Sequence, residues 1–195
     1  DLRKILNIEQ VKNAVIFCNR KIDINKVNTF LKKNNFKTVC LHGDMSQSSR
    51  IQSLEDFKDG LAKILIASDV AARGIDVAGL SHVFNYDVPI NPEDYVHRIG
   101  RTGRAGLKGK AFTFCEDGDE KNILTIEKLI KKSIQTYHLN GINSESTDFK
   151  KISSEQNNQK VRETNKKIKK VYFLPIENFI NFKESGQIPN FLTKK

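Results

Sequence analysis

AVIFC, residues 14–18, is a short apolar run rich in β-branched side chains, and runs of its kind recur along the chain. KTVCLH (37–42), KILIAS (63–68), HVFNYD (82–87) and GKAFTFC (109–115) share its shortness and its lack of strict alternation. Apolar segments of this sort, bounded by turn and polar residues, read as strands buried on both faces of a parallel sheet. Between them, Ile24, Val27, Phe30 and Leu31 fall on one helical face, as do Ile51, Leu54 and Phe57. A last helix is predicted over 119–132, with Ile123, Ile126, Leu129 and Ile130 inward. Strand and helix in alternation imply right-handed crossovers and an α/β fold: a mostly parallel sheet with helices on both faces.

Charge and composition narrow the classes. The 195 residues hold 33 Lys and Arg against 23 Asp and Glu, a net charge of +10, which favours polyanionic partners. No apolar run approaches the roughly 18 residues of a membrane span, so no membrane partner is expected. The chain opens on Asp1, without a charged-then-apolar leader, and reads as a fragment of a cytoplasmic protein. Cys18, Cys40 and Cys115 are odd in number and far apart, which suits buried thiols in a reducing compartment. His42, His82 and His138 lack ligand spacing, so no metal site is expected. No Ser-His-Asp or Cys-His set suggests a nucleophile.

The α/β pattern occupies 1–138. From 139 to 195 the character changes to a basic, polar linker or tail rich in Asn, Ser, Lys and Gln. Its lysines read equally as solubility or as a sequence-independent grip on nucleic acid. The closing stretch VYFLPIENFINFKESGQIPNFL regains aromatics and prolines, and either docks on a surface or meets a partner.

Ligands of open parallel sheets collect at the carboxyl ends of the strands. The loops there are CNRKID, HGDMSQSSR and SDVAARGID, followed by DYVHRIGRTGRAG (94–106), in which Arg98, Arg101 and Arg104 are spaced with Gly100, Gly103 and Gly106. A helix is predicted to start near Asn91, with Pro92 in its first turn. Guanidinium forks match phosphate oxygens with paired hydrogen bonds. The alternative is an arginine cluster pairing internally with Asp69, Asp76 or Asp94. A phosphate-cradling G-x-x-x-x-G-K-[ST] loop and a G-x-G-x-x-G fingerprint are both unmet. The primary phosphate pocket is therefore expected elsewhere.

HRIGRTGR (97–104) resembles motif VI of the DEAD-box RNA helicases, and the other loops resemble further motifs of that family's second RecA-like domain in the right order. VIFCN (15–19) is similar to motif IV, HGDMSQSSR (42–50) to the HGD and QxxR elements, and SDVAARGID (68–76) to motif V. The resemblance implies a RecA-like, P-loop-NTPase-type sheet and one half of an ATP-dependent RNA helicase. It further implies an N-terminal RecA-like DEAD domain in cis that holds most of the ATP and its Mg2+. Within the family the similarity points to the bacterial RhlE-like branch, with IPNFL (188–192) resembling a short C-terminal signature there.

Roles follow by position. The resemblance makes Arg101 and Arg104 arginine fingers toward the γ-phosphate. It sets Asp76 at the ribose, with Gly74 allowing close approach. His97 and Arg98 match residues that tie the two domains together and organise motif VI, and Gln47 matches a hinge to that motif. Gly43, Arg50 and Ser68 match positions that hold the RNA backbone. Ser68 stands where the family usually has Thr and keeps the hydroxyl, whereas Arg20 stands where Thr commonly follows the motif IV asparagine and reaches the RNA phosphate with its longer arm. Phe17 reads as a core residue supporting the arginine segment. The chain alone is expected to be inactive as an ATPase. A non-catalytic RNA-binding module is the alternative from another class, and the finger arginines with Asp76 argue against it. The His-Arg opening of motif VI argues against a DNA helicase half.

Overall fold

The computed structural model describes residues 1–73, 75, 77–104, 106–137 and 170–177. Helix α1 (Leu2–Ile8) leads into β1 (Ala14–Phe17), α2 (Lys21–Lys33), β2 (Thr38–Leu41), α3 (Gln47–Lys58) and β3 (Ile64–Ala67). There follow α4 (Asp69–Ala72), β4 (His82–Asn85), α5 (Pro92–Ile99), β5 (Lys108–Cys115), α6 (Glu120–Ile130), β6 (Gln135–Tyr137) and β7 (Lys170–Glu177). The sheet has seven strands in the order β2-β3-β1-β4-β5-β7-β6. Strands β1 to β5 pair in parallel. Strand β7 runs antiparallel to both β5 and β6.

Each of the five expected strands forms on its apolar run, and β1, β3 and β4 are buried at every position. Successive side chains of a strand point to opposite faces, so each central strand feeds two cores. Ile16, between Ile66 and Phe84 in register, packs with Ile5, Ile24 and Leu31 from α1 and α2. Val15, between Leu65 and Val83, packs with Phe57 and Val77 on the other face. A third cluster joins Tyr95, Val96 and Ile99 of α5 to Ile123, Ile126 and Ile130 of α6.

Two helical positions depart from the expected burial. Phe30 is 48% exposed and Ile51 47% exposed. A helix turns by about 100° per residue, which swings Phe30 away from the stripe defined by Ile24, Val27 and Leu31. Ile51 lies on the flank of the α3 stripe that Leu54 and Phe57 define. Helix α1 is an addition to the sequence reading; Leu2, Ile5 and Leu6 bury themselves at i, i+3, i+4 spacing.

The larger addition comes from inside 139–195. Residues 170–177 form β7, pairing along all of β5 and inserting Val171, Tyr172, Leu174 and Ile176 into the cores on either face. The period-2 alternation of VYFLPI suits a strand, but its partner lies far away in sequence, beyond any local pattern. Strand β6 pairs with Val171, Tyr172 and Phe173, so among the described residues Pro175 has a strand partner on one side only, a place proline tolerates. The remaining residues of 139–195, and His138, lie outside the described residues.

None of the three cysteines forms a disulfide, and burial with nearby acids pushes the Cys115 thiol up to about 12. Among the described residues, no helix is long and apolar enough to cross a membrane.

At the edge of the sheet opposite the arginine loops, His82 stacks on Phe84 and Phe112 with centroids 5.9 and 6.2 Å away. Its Nδ1 lies 2.9 Å from Ser81 Oγ. The Glu9 carboxylate stands 3.9 Å from Nε2, while also accepting from Tyr137 Oη and pairing with Lys110. Burial lowers the imidazole pKa from 6.5 to about 4, outweighing the pull of Glu9.

Two outcomes are expected. Leu174→Ala costs about 2–5 kcal/mol, read from the urea midpoint; a loss below about 0.5 kcal/mol, the level of an ordinary surface change, would remove β7 from the sheet. Because the unfolded chain takes up the His82 proton first, its stabilising share is full above pH 6.5 and drains as pH falls toward 4. A urea midpoint that falls with the same slope over that window in His82→Phe would refute this assignment.

Candidate functional site

The parallel order of β1 to β4 sets their carboxyl ends along one rim. Asn19 and Arg20 follow β1, Gly43 and Asp44 follow β2, Ser68 and Asp69 follow β3, and Asp87 follows β4. Helix α5 rises beside them, started by Asn91, whose Oδ1 accepts from the Glu93 N–H at 3.1 Å, and by Pro92 at its first position.

Arg98 is the centre of this rim. Its side chain is only 1% exposed. Nε and Nη2 donate to the two Asp69 oxygens at 2.7 and 2.6 Å. Nη2 also donates to Asn19 Oδ1 at 2.7 Å, and Nη1 to Asp87 O at 2.9 Å and Asn85 Oδ1 at 3.4 Å. Guanidinium has five N–H donors in a fixed fork, and here every one has an acceptor. The ring of Phe17 lies beneath, 5.3 Å from the guanidinium carbon, a cation–π contact. Asn85 is itself held by donating to Thr113 Oγ1 at 2.9 Å, in a fully buried pair. Of the sequence alternatives, internal pairing describes Arg98 with Asp69; Asp94 goes to Arg73 at 2.7 Å.

Arg101 and Arg104 are placed differently. Arg101 Nη1 donates to Ile75 O at 2.9 Å and Nη2 to Ala72 O at 3.4 Å, so backbone carbonyls at the end of α4 and just beyond it steer the side chain. Arg104 is exposed, with Nε donating to Gly100 O. The intervening turn packs tightly. Gly103 has φ +65°, and a Cβ there would overlap the side chain of Ile176 in β7. A Cβ at Gly109 would overlap Thr102, whose hydroxyl donates to Leu80 O. Glycine is thus required by packing as well as by conformation.

His97 is half exposed, its Nδ1 3.9 Å from Asp94. Gln47 is exposed in the first turn of α3, and Arg50 is half-buried one turn on. That helix is capped by Ser46, which accepts from the Ser49 N–H at 3.2 Å. At Gly43 a Cβ would meet nothing, so packing does not demand glycine. Ser68 caps α4, its Oγ accepting from the Ala71 N–H at 3.4 Å. Arg20 is mostly exposed and bonds Asp23 at 2.7 Å. Lys21 pairs with Asp44 at 2.5 Å, linking the loops after β1 and β2 and holding that carboxyl below its usual range. Gly74 and Asp76 lie outside the described residues. No group of His, Cys, Asp and Glu among the described residues is arranged to hold a metal.

Sequence reasoning passed over Asn19, Asn85 and Asp87. Asn85 did carry a signal, a polar side chain inside an apolar run, since a buried amide needs partners.

The model of the helicase conserved C-terminal domain matches residues 1–106. RhpA, a DEAD-box ATP-dependent RNA helicase of Helicobacter pylori, is 42% identical over 142 residues, covering 73% of this chain and 29% of RhpA. A DEAD box protein from Methanococcus jannaschii superposes with a TM-score of 0.63 at 42% identity, covering 68% of this chain and 36% of that one. Dbp5 of S. cerevisiae, solved with RNA and ADP BeF3, does so with a TM-score of 0.59 at 38% identity, covering 65% and 34%. The mostly parallel seven-stranded sheet with its helices matches the RecA-like helicase C-terminal domains of DEAD-box proteins. The chain belongs to the helicase conserved C-terminal domain family, in the form that DEAD-box RNA helicases carry. It spans about a third or less of the length of these relatives.

Arg98→Ala should cost about 3–5 kcal/mol, because it leaves Asp69 half-buried without its cation. Exposed Arg104→Ala should stay within about 0.5 kcal/mol. Denaturant melts of the two variants compare them, and equal losses would remove the distinction between hub and rim.

Proposed function

We propose that this chain is the second RecA-like half of an ATP-dependent RNA helicase, presenting Arg101 and Arg104 to the γ-phosphate of ATP. The observation that supports this most is the saturated Arg98 hub. With one arginine of the motif consumed in fixing α5, the two that follow are left beside the rim, steered by carbonyl oxygens. Carbonyl oxygens orient a guanidinium for the paired hydrogen bonds that phosphate oxygens accept.

The ATP itself is cradled mainly by an N-terminal RecA-like DEAD domain in cis. This chain has no phosphate-cradling loop of its own, and its described residues hold no acidic cluster fit for Mg2+. In this reading that domain holds the Mg2+ as well. Asp76 and Gly74 meet the ribose in this reading. Arg20, Gly43, Arg50 and Ser68 face the RNA backbone from three neighbouring strand ends, a layout that suits sequence-independent contact with phosphates. Gln47, His97 and Arg98 link these loops to motif VI and to the other domain. The Dbp5 structure with RNA and ADP BeF3 supports the pairing of RNA and nucleotide on this fold.

Closure of the two domains over ATP and one RNA strand brings the fingers to the phosphate, where they neutralise charge developing in phosphoryl transfer. Hydrolysis and phosphate release reopen the cleft and free the strand. The chain alone is inactive. We place the whole protein in the cytoplasm, in the RhlE-like branch suggested by IPNFL (188–192), which lies outside the described residues.

Fusing the chain to the first RecA-like domain of a DEAD-box relative tests this. RNA-stimulated ATPase should appear in the fusion and be absent from the chain alone. Arg101→Ala should lower it by about 10³-fold or more, with the melting temperature unchanged. Turnover indifferent to Arg101→Ala would end the finger assignment.

A further inference from the structure

Two of the loops read as RNA-facing, those after β1 and β3, share a feature that the family roles do not use. Arg20 directly follows Asn19, and Ser68 directly precedes Asp69; Asn19 and Asp69 are both acceptors of Arg98. Two of the candidate phosphate contacts, Arg20 and Ser68, therefore each sit one residue from an acceptor of the hub.

Asn19 carries the tighter connection. Its backbone N–H donates to Asp87 Oδ2 at 2.9 Å, its Nδ2 to Val88 O at 2.9 Å, and its Oδ1 accepts from Arg98 Nη2 at 2.7 Å. All three bonds run to the connection after β4 or to α5, across 68, 69 and 79 residues of sequence. The next side chain, Arg20, is 72% exposed and rests on Asp23. A phosphate that draws Arg20 from Asp23 pulls on main chain whose preceding residue is clamped to α5. Arg98 has no spare donor with which to absorb the shift. Its carbonyl accepts from the Arg101 N–H at 3.2 Å, so a displacement of Arg98 passes directly to the first finger.

We propose that Asn19 is a positioning residue that couples RNA occupancy of the loop after β1 to the placement of α5 and Arg101. The inference rests on the RNA-binding reading above and adds to it the route by which RNA reaches the arginine segment.

The test uses this full chain and a single-stranded oligouridylate, with two readouts. One is the Arg98 Nε–Hε resonance by NMR, and the other is amide hydrogen exchange over residues 96–101. In the wild type, RNA should shift the resonance and slow the exchange by about fivefold, the low end of ordinary site-to-site coupling. Asn19→Ala should bind the RNA with nearly unchanged affinity yet lose both responses. Asn19→Leu, which has similar size and no polar atom, should do the same and carries the test if the alanine variant does not fold. Asn19→Asp keeps an oxygen facing Arg98 and should retain the responses. Responses in Asn19→Ala or Asn19→Leu equal to the wild type would overturn this inference alone. Failure of the wild-type chain to bind RNA would overturn the RNA reading and this inference with it.

Discussion

A buried guanidinium with all five N–H groups satisfied is the constraint around which the rest of the rim is arranged. Removing a charge from water is costly unless geometry and hydrogen bonds compensate. Here compensation comes from Asp69, Asn19, Asn85 and the Asp87 carbonyl, that is, from the ends of β3, β1 and β4 together. Those strands are adjacent in the sheet, with β1 between β3 and β4. A parallel sheet of another order would scatter the same acceptors. Arginine is needed because its fork reaches several acceptors at fixed angles, which a flexible point charge does not.

The hub explains why three closely spaced arginines coexist. Arg98 is neutralised internally, which relieves repulsion, and the glycines at 103 and 109 let the following turn settle against β5 and β7. Arg101 and Arg104 donate to carbonyl oxygens, whose partial charges help to orient a guanidinium.

Much of this was legible in the sequence. The five parallel strands follow from short apolar runs, because burial on both faces leaves no alternation to hide them. The start of α5 follows from Asn91 and Pro92, whose cap chemistry is local. Helix α1 escaped notice because its stripe is only three residues, Leu2, Ile5 and Leu6. Strands β6 and β7 escaped because their pairing is long-range and their burial depends on β5. At the site, motif resemblance singled out loops that the structure brings together around Arg98. It did not show that Arg98 turns inward while its neighbours do not, since spacing alone cannot say where Asp69 lies. Asn19 looked like a motif letter; only its three bonds reveal a clamp.

The contact between Gly103 and Ile176 has a consequence for how the molecule comes into being. On the ribosome, the arginine turn emerges long before the strand it rests against. Until that strand arrives, the flank of β5 has no neighbour and the turn has no floor. Settling of the arginine turn is thereby deferred until residues 170–177 have emerged, and a nascent chain that has exposed only the turn has not yet fixed its shape.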